Sequence, residues 1–144
     1  KRNGVIWIDE MVDKPTIREL YSHASVFCCP SIYEPFGIIN LEAMACETAV
    51  VATAVGGIKE VVVDGETGFL VPIDQMDESP FEPRDPGKFA RDLAARINQL
   101  MVDPALCEKF GRAGRKRAEE KFGWPAIARQ TVELYEQIRR REPV

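Results

Sequence analysis

Short apolar runs recur along the chain and predict the strands of a sheet. They are VIWI (5–8), SVFCCP (25–30), AVVATAV (49–55) and FLVP (69–72). Continuous apolar runs of this length, bounded by proline, glycine or charged residues, are typical of strands that a parallel sheet buries on both faces. We therefore predict four strands that are connected by helices.

Between these runs, apolar residues recur at helical spacing and predict helices. One helix precedes the second strand, and its predicted inward face consists of Ile17, Leu20, Tyr21 and Ala24. Another helix begins near Gly37, and its predicted inward residues are Ile38, Ile39, Leu41 and Ala45. Gly56-Gly57 interrupts the chain before a short helix, IKEVVVD (58–64), and the turn-forming sequence DGETG (64–68) leads into the last strand.

The sequence changes character after the last strand. DQMDESPFEPRDPG (74–87) is acidic and rich in proline, which predicts an exposed loop rather than a linker between two cores. Apolar residues then recur at helical spacing over 88–101, 104–122 and 125–141, which predicts three helices. Five large residues of this region are interpreted as packing residues rather than as a binding surface: Phe110, Phe122, Trp124, Tyr135 and Ile138.

Strands that alternate with helices indicate an α/β fold with a Rossmann-like parallel sheet and flanking helices, followed by a helical C-terminal region. A chain of 144 residues has the size of one domain. We predict a single, incomplete nucleotide-sugar-binding domain over residues 1–144. Its parts are the α/β sheet at 1–73, the exposed loop at 74–87 and the C-terminal helices at 88–144.

Composition narrows the class of partner. An apolar content of 45% and a formal net charge of −4 indicate a folded domain and argue against nucleic acid as its main partner. No run approaches the roughly 18 apolar residues of a membrane span, and the first apolar run is too brief for a signal-peptide core. A cytoplasmic location is therefore expected. The four cysteines and the single histidine lack metal-ligand spacing, so neither a metal site nor a cofactor is predicted.

Two glutamates, Glu34 and Glu42, lie eight positions apart around a Pro-Phe-Gly turn that is predicted to open a helix. In a parallel sheet, ligands bind beyond the carboxyl ends of the strands, where this turn follows the strand at 25–30. Carboxylates repel phosphate, but they accept hydrogen bonds from hydroxyl groups, and one carboxylate can accept two bonds from a vicinal diol. The spacing therefore predicts two sugar-binding carboxylates at one site.

The start of the same helix predicts an anion site between the two carboxylates. Gly37 lets the backbone approach a ligand closely, and the amides of Gly37, Ile38 and Ile39 are expected to point out of the helix start. Free amides and the helix dipole favour a phosphate or a diphosphate. A ligand that has phosphates in its middle and diols at both ends is a nucleotide sugar.

The run PSIYEPFGIINLEAMACETAVVATAVGGIKEVVVDGETGFLVP (30–72) resembles the donor-binding half of the retaining glycosyltransferases with the two-domain GT-B fold. The resemblance rests on the E-x7-E spacing with PFG inside it, on GG, and on DG-TG-LV, and it covers about residues 5–72 strongly. The family includes sucrose and glycogen synthases. Within it, this sequence is most similar to bacterial glycogen synthases that use ADP-glucose.

The resemblance implies a role for several residues. Glu42 would accept the ribose hydroxyls, and Glu34 would contact the donor sugar and stabilise positive charge at its anomeric carbon. Phe36 belongs to the same donor-binding turn, and Tyr33 either lines the nucleotide pocket or is a plain surface aromatic. Gly56 and Gly57 either approach the sugar or phosphates or form only the turn between strand and helix.

Three positions depart from the family pattern, and at two of them, Ala49 and Lys59, family members commonly have proline. Family members commonly have glycine where Glu47 stands, after the helix that carries Glu42. If this position is left-handed, a non-glycine residue there costs on the order of 1 kcal/mol of local stability.

The resemblance also indicates what precedes such a domain. Related enzymes carry an Arg and a Lys that neutralise the leaving diphosphate, and a separate N-terminal domain that holds the acceptor. No Gly-Arg-x-x-x-x-Lys stretch precedes VIWI here, and that run would be the third strand in the order 3-2-1-4-5-6, two strands away from the fourth. The chain is interpreted as a C-terminal fragment that holds part of ADP-glucose or UDP-glucose and transfers glucose to an α-glucan only with the missing domain.

Four other functions compete with this interpretation. A non-catalytic nucleotide-sugar-binding module and a nucleotide-sugar epimerase of the same fold both stay open. No lysine stands in the setting of a pyridoxal phosphate site, which disfavours a glycogen phosphorylase. No G-x-G-x-x-G follows any strand, which disfavours a dinucleotide dehydrogenase.

Overall fold

Three parallel strands form one sheet in the order β1–β2–β3 in a computed structural model that describes residues 3–141. The strands are β1 (Val26–Cys29), β2 (Ala49–Thr53) and β3 (Gly68–Val71). The helices are α1 (Lys14–His23), α2 (Ile38–Ala45), α3 (Ile58–Val61), α4 (Pro86–Met101), α5 (Pro104–Arg117) and α6 (Trp124–Arg141). A π-helical turn, Ala118–Phe122, connects α5 to α6 and is called the π turn below.

The central strand divides the core into two layers. All five residues of β2 are buried, and successive side chains face opposite sides of the sheet. Val50 and Ala52 pack in a cluster with residues of α2 and α3, whereas Ala49 and Val51 pack with residues of α4 and α5. The predicted parallel α/β sheet with flanking helices and a helical C-terminal region is therefore confirmed.

Aspartate caps explain where three helices begin. The side chains of Asp13, Asp85 and Asp103 accept hydrogen bonds from backbone amides three residues further on, at 2.8–3.0 Å. A proline follows within the first turn in each case, where its fixed φ suits the helix and its missing N–H costs nothing. The hydrogen bonds from Thr16 hold the pKa of the Asp13 carboxyl below its usual value.

The prediction of a strand at VIWI is wrong for this chain. Residues 5–8 lie outside the sheet, and the exposed fractions of Val5, Ile6 and Trp7 are 64%, 89% and 81%. A strand needs a neighbour to satisfy its backbone amides and carbonyls. Among residues 3–141 the edge of β1 has no further strand beside it, so four apolar residues remain exposed where we expected a strand.

The predicted inward face of α2 is also wrong in part. Ile38 and Ile39 are 60% and 39% exposed, whereas Asn40, Ala43 and Met44 are buried. Leu41 and Ala45 are half-buried, so these two residues face inward only in part. Apolar residues occupy nearly every side of this helix, so periodicity alone could not assign its face.

The C-terminal helices depart from the prediction in two ways. The expected helix over 104–122 is α-helical only to Arg117 and continues as the π turn. Phe110 is buried and Phe122 is half-buried, so both pack as expected. The remaining three residues of the proposed packing set are largely exposed, at 86% for Trp124, 66% for Tyr135 and 52% for Ile138.

Helix α2 ends in a Schellman motif that places Glu47 in a left-handed conformation. The amide of Thr48 donates to the carbonyl of Ala43 at 3.1 Å, and the amide of Glu47 donates to that of Met44 at 3.0 Å. Glu47 has φ 60°, and a Cβ on Gly111 of α5 would overlap its carbonyl oxygen. This end of α2 therefore lies directly against the backbone of α5.

We predict that Glu47→Gly raises the free energy of unfolding by about 1 kcal/mol, because glycine removes the contact between Cβ and the carbonyl that opposes a left-handed residue. Urea denaturation of the 144-residue chain measures the change. Glu47→Ala is the matched control, since it removes the same carboxylate and keeps Cβ. Equal stabilities of the two variants would contradict the prediction.

Candidate functional site

Three loops converge at the carboxyl edge of the sheet. The strands are parallel, so the segments that follow β1, β2 and β3 lie at the same edge. The loop at 30–37 follows β1, Gly56-Gly57 follows β2, and the loop at 72–85 follows β3. Residues from the second and third segments hydrogen-bond to the first, which gives the loop at 30–37 a defined shape.

Glu34 is bound to the start of the helix that it precedes. Its Oε1 accepts a hydrogen bond from the amide of Gly37 at 3.1 Å, and Gly37 has φ 101°. The carboxylate thereby occupies the Gly37 amide, which we expected to be free for an anion, because a left-handed glycine aims this amide back toward Glu34. The second carboxylate oxygen keeps its capacity to accept from a ligand hydroxyl.

The glycine pair after β2 lies against the backbone of the Glu34 turn. The amide of Gly57 donates to the carbonyl of Glu34 at 3.0 Å. A Cβ on Gly56 would overlap the same carbonyl oxygen, and a Cβ on Gly57 would overlap the backbone of Pro35 and Phe36. Gly56 and Gly57 are therefore the turn into α3 and, in addition, the surface on which the Glu34 turn rests.

Gln75 fastens the acidic loop to the same turn. Its side-chain amide donates to the carbonyl of Ile32 at 2.7 Å and to that of Phe81 at 2.8 Å. Arg84 pairs with Asp74 and Asp77 inside this loop. Sequence reasoning assigned this segment only as an exposed loop, and its position immediately after β3 was the available signal that it borders the site.

Glu42 lies on the outward face of α2, between two grooves. A groove of about 250 Å³ toward α1 is lined by Glu42 together with Lys14, Arg18 and Tyr21. A second groove, of about 430 Å³, lies toward the π turn and is lined by Glu42, Ile38 and Phe122. The residues Ile38 and Glu42 are four positions apart, so they share one helical face. Glu42 is therefore accessible from both sides of the helix.

The Tyr21 side chain forms a hydrogen bond with the Glu42 carboxylate. Its hydroxyl donates to Glu42 Oε2 at 3.5 Å, which is a long hydrogen bond. Burial first, and then the negative charge of Glu42, raise the pKa of the Tyr21 phenol above its usual value. The phenol thus remains protonated and available as a donor to Glu42.

The other predicted site residues have different surroundings. Tyr33 is 78% exposed, whereas Phe36 is 38% exposed and its ring packs edge-on against Phe122. Ile38 and Ile39 form the first turn of α2, where backbone amides have no intrahelical acceptor. The structure thus brings Glu34 and Gly37 into direct contact and sets Glu42 one turn further along the helix.

A buried amide side chain underlies the helix start. Asn40 has no exposed surface, and neither Oδ1 nor Nδ2 has a hydrogen-bond partner among the described residues. A Cβ on Gly37 would lie 3.1 Å from its Nδ2. An unpaired buried amide costs about 1–3 kcal/mol. Sequence reasoning missed Asn40 because a polar residue in an apolar helix is normally assigned to the solvent face.

Within residues 3–141, no group of three or more His, Cys, Asp or Glu side chains is placed to hold a metal ion. None of the helices described is both long enough and apolar enough to cross a bilayer.

A family model described as "Glycosyl transferases group 1" matches residues 1–79, which is more than half of the chain. The chain belongs to this family of glycosyltransferases. The alpha-maltose-1-phosphate synthase of Mycolicibacterium smegmatis is 51% identical over 137 residues, which cover 95% of this chain and 33% of that protein. The chain thus spans about a third of the length of the curated relatives that it matches.

Solved structures agree with this assignment. Sucrose-phosphate synthase (tll1590) from Thermosynechococcus elongatus superposes with a TM-score of 0.70 at 40% identity, over 91% of this chain and 29% of that one. Anabaena Alr3699/HepE, solved in complex with UDP and glucose, superposes with a TM-score of 0.64 at 28% identity, over 83% and 29%. The predicted GT-B family is confirmed. The finer resemblance to ADP-glucose-dependent glycogen synthases is not singled out, because a glycogen synthase of Mycobacterium tuberculosis, at 33% identity, is one of several differently named relatives.

For this glycosyltransferase chain we predict that Glu42→Gln lowers the pKa of Tyr21, because it removes a negative charge and weakens the hydrogen-bond acceptor. Burial, the larger cause, remains, so the pKa should stay above the usual tyrosine value. Because the folded-state pKa is raised, the stability linked to Tyr21 is present below the usual tyrosine range and is lost as pH rises through the folded pKa.

A pH titration of ¹³C-labelled tyrosine by NMR measures this pKa, with Tyr21→Phe assigning the resonance. Glu66→Gln is the control, since it removes an exposed carboxylate at the opposite edge of the sheet. An unchanged Tyr21 pKa in Glu42→Gln would show that the two side chains do not interact in solution.

Proposed function

We propose that this chain is the donor-binding part of a retaining glycosyltransferase that transfers glucose from ADP-glucose or UDP-glucose to an α-glucan. The observation that carries the proposal is the start of α2 at the carboxyl edge of the sheet, with Glu34 bound to Gly37 before it and Glu42 on its outward face. This arrangement places two carboxylates on either side of free helix amides. It suits a ligand whose diphosphate lies between two sugars.

Each predicted residue has a role in this proposal. The amides of Ile38 and Ile39 meet the diphosphate, where the helix dipole adds a partial positive charge. Glu34 keeps one oxygen on Gly37 and presents the other to hydroxyls of the donor sugar. Its charge then also stabilises the positive charge that develops at the anomeric carbon when the diphosphate leaves. We assign Glu34 as the catalytic residue on this basis.

Glu42 is proposed to accept both hydroxyls of the ribose. It is exposed and borders two grooves, so a nucleoside can reach it without displacing a core residue. Tyr33, at 78% exposure, and Phe36 are proposed to line the same ligand. The complex of Anabaena Alr3699/HepE with UDP and glucose supports a nucleotide-sugar ligand for this fold.

The acceptor and the cellular location complete the proposal. The names of the relatives refer to the products maltose-1-phosphate and sucrose phosphate and to D-inositol 3-phosphate, so the α-glucan is proposed as one of several acceptors within this family. The residues that contact the acceptor belong, in this proposal, to a second domain. A cytoplasmic location stays a prediction.

We predict that the two glutamates recognise different ends of the donor. Glu42→Gln should weaken binding of UDP and of UDP-glucose by about the same factor, because the ribose is common to both ligands. Glu34→Gln should weaken UDP-glucose but leave UDP nearly unchanged, because only UDP-glucose carries the sugar. A lost hydrogen bond to a charged group corresponds to roughly ten- to a hundredfold in affinity. Calorimetric titration of the 144-residue chain, repeated with ADP and ADP-glucose, measures these affinities.

Glu66→Gln is again the control, because it makes the same change in charge away from the site. The residue assignment would be wrong if Glu34→Gln weakened UDP and UDP-glucose equally, or if Glu42→Gln weakened UDP-glucose alone. Absence of binding to any of the four ligands by the unmodified chain would argue against donor binding by this chain alone.

A further prediction concerns turnover. The 144-residue chain should show no glycosyl transfer by itself, because transfer requires an acceptor held against the anomeric carbon and cations that stabilise the departing nucleoside diphosphate. The loop at 30–37 and α2 supply neither. The measurement is product formation from ADP-glucose or UDP-glucose with a glucan primer, run beside the binding titrations.

The same assay separates the remaining alternatives. Sustained transfer that Glu34→Ala abolishes would contradict this prediction and would mean that self-association or an unassigned residue completes the site. Conversion of UDP-glucose into an epimer would favour the epimerase. Binding without turnover is expected both of a donor-binding part and of a non-catalytic module. These two are distinguished by restoring activity with the N-terminal part of the Mycolicibacterium smegmatis relative in a chimaera.

A further inference from the structure

The Glu34 turn is supported on its outer side by the C-terminal part of the chain. Phe36, in the middle of the turn, packs edge-on against Phe122, with ring centroids 5.9 Å apart and an interplanar angle of 68°. Phe122 is the last residue of the π turn and is half-buried against the cluster on the α2 side of the sheet. On its inner side the same turn rests on Gly56 and Gly57. The turn is therefore held between two surfaces.

Arg117 connects these two surfaces. Its guanidinium carbon lies 5.6 Å from the centroid of the Phe122 ring, within the range of a cation–π contact. The same guanidinium donates to the carbonyls of Glu60 and Val61 at 2.7 and 2.8 Å. These carbonyls belong to the last turn of α3, the helix whose start carries Gly57. Arg117 therefore joins the aromatic pair to the element on which Glu34 rests.

The π turn is what brings Arg117 and Phe122 together. These residues are five positions apart, and in an α-helix five residues correspond to about 500°, which would place their side chains roughly 140° apart. A π-helical turn closes its hydrogen bonds between residues five positions apart, so the two side chains come to lie one above the other. The wider turn thus has a direct structural consequence for the Glu34 turn.

We propose that Phe122 and Arg117 are positioning residues that hold the Glu34 turn in its observed geometry, through the ring of Phe36 and the last turn of α3. Both residues lie outside the part of the chain that the family model matches, which ends at residue 79. Their importance for donor binding rests on the proposed function of the turn. The geometric part of the proposal can be tested without a ligand.

Amide hydrogen exchange of the unliganded 144-residue chain tests the geometry. The amides of Gly37 and Gly57 both donate to Glu34, so their exchange reports on the turn itself. In Phe122→Leu, which keeps an apolar side chain but loses the aromatic edge contact, both amides should exchange about two- to tenfold faster relative to the amides of β2. Arg117→Lys, which replaces the planar guanidinium by a single ammonium group, should also make both amides exchange faster.

The control is Phe110→Leu. Phe110 also packs edge-on against another ring, that of Phe69 at 5.0 Å, but on the opposite face of the sheet. Phe110→Leu should destabilise the chain at least as much as Phe122→Leu does, because Phe110 is fully buried. The Gly37 and Gly57 amides should keep their exchange rates relative to β2. Equal effects of Phe110→Leu and Phe122→Leu on this ratio would overturn the proposal.

A second experiment tests the connection with the donor. Phe122→Leu should weaken UDP-glucose binding by the 144-residue chain about two- to tenfold. Phe110→Leu, which changes the same kind of aromatic contact on the opposite face of the sheet, should leave the affinity of the folded chain unchanged. Equal affinities of the two variants would overturn the connection with the donor site. Failure of the unmodified chain to bind UDP-glucose would count against the proposed function, while the exchange experiment would still decide the geometry.

Discussion

The contact between the Gly56-Gly57 pair and the backbone of Glu34–Phe36 is the constraint on which the site depends. Only glycine permits it, because a Cβ at either position would overlap backbone atoms of the turn. The contact brings the segment after β2 under the segment after β1 and lets Gly57 bind the Glu34 carbonyl. The direction in which Glu34 presents its carboxylate follows from this backbone position.

The rest of the fold holds that contact in place. Both glycines follow β2, the fully buried central strand, which fixes where this segment leaves the sheet. On the other side, α2 is held at its far end by α5, where Gly111 lies against Glu47 and Arg115 donates to the carbonyl of Ala45. The site is thus built on a helix whose two ends are both held by backbone contacts.

The chemistry of the site follows from how these charges and dipoles are arranged. A helix start with free amides attracts an anion, whereas Glu34 and Glu42 repel one, so an anion is accommodated only between them. One of the two carboxylates, that of Glu34, is already bound to the helix start through the Gly37 amide. In the proposed function, a donor with a central diphosphate meets both requirements, and its hydroxyls bind the carboxylates. Asn40, whose side-chain amide has no hydrogen-bond partner among residues 3–141, lies beneath the same helix turn.

The sequence by itself determined the order of strands and helices after VIWI, the helix starts, and the pairing of Glu34 with Glu42 on one turn and helix. These features depend on interactions within a few residues, such as the Asp-Pro caps and apolar runs, which a local pattern records. The tertiary structure alone decided that VIWI stays outside the sheet, that Asn40 rather than Ile38 faces the core, and that the glycine pair supports Glu34. It also decided that Phe122 contacts Phe36 across more than eighty residues of sequence. Such contacts depend on how distant elements pack, and periodicity within one segment carries no information about a partner elsewhere in the chain.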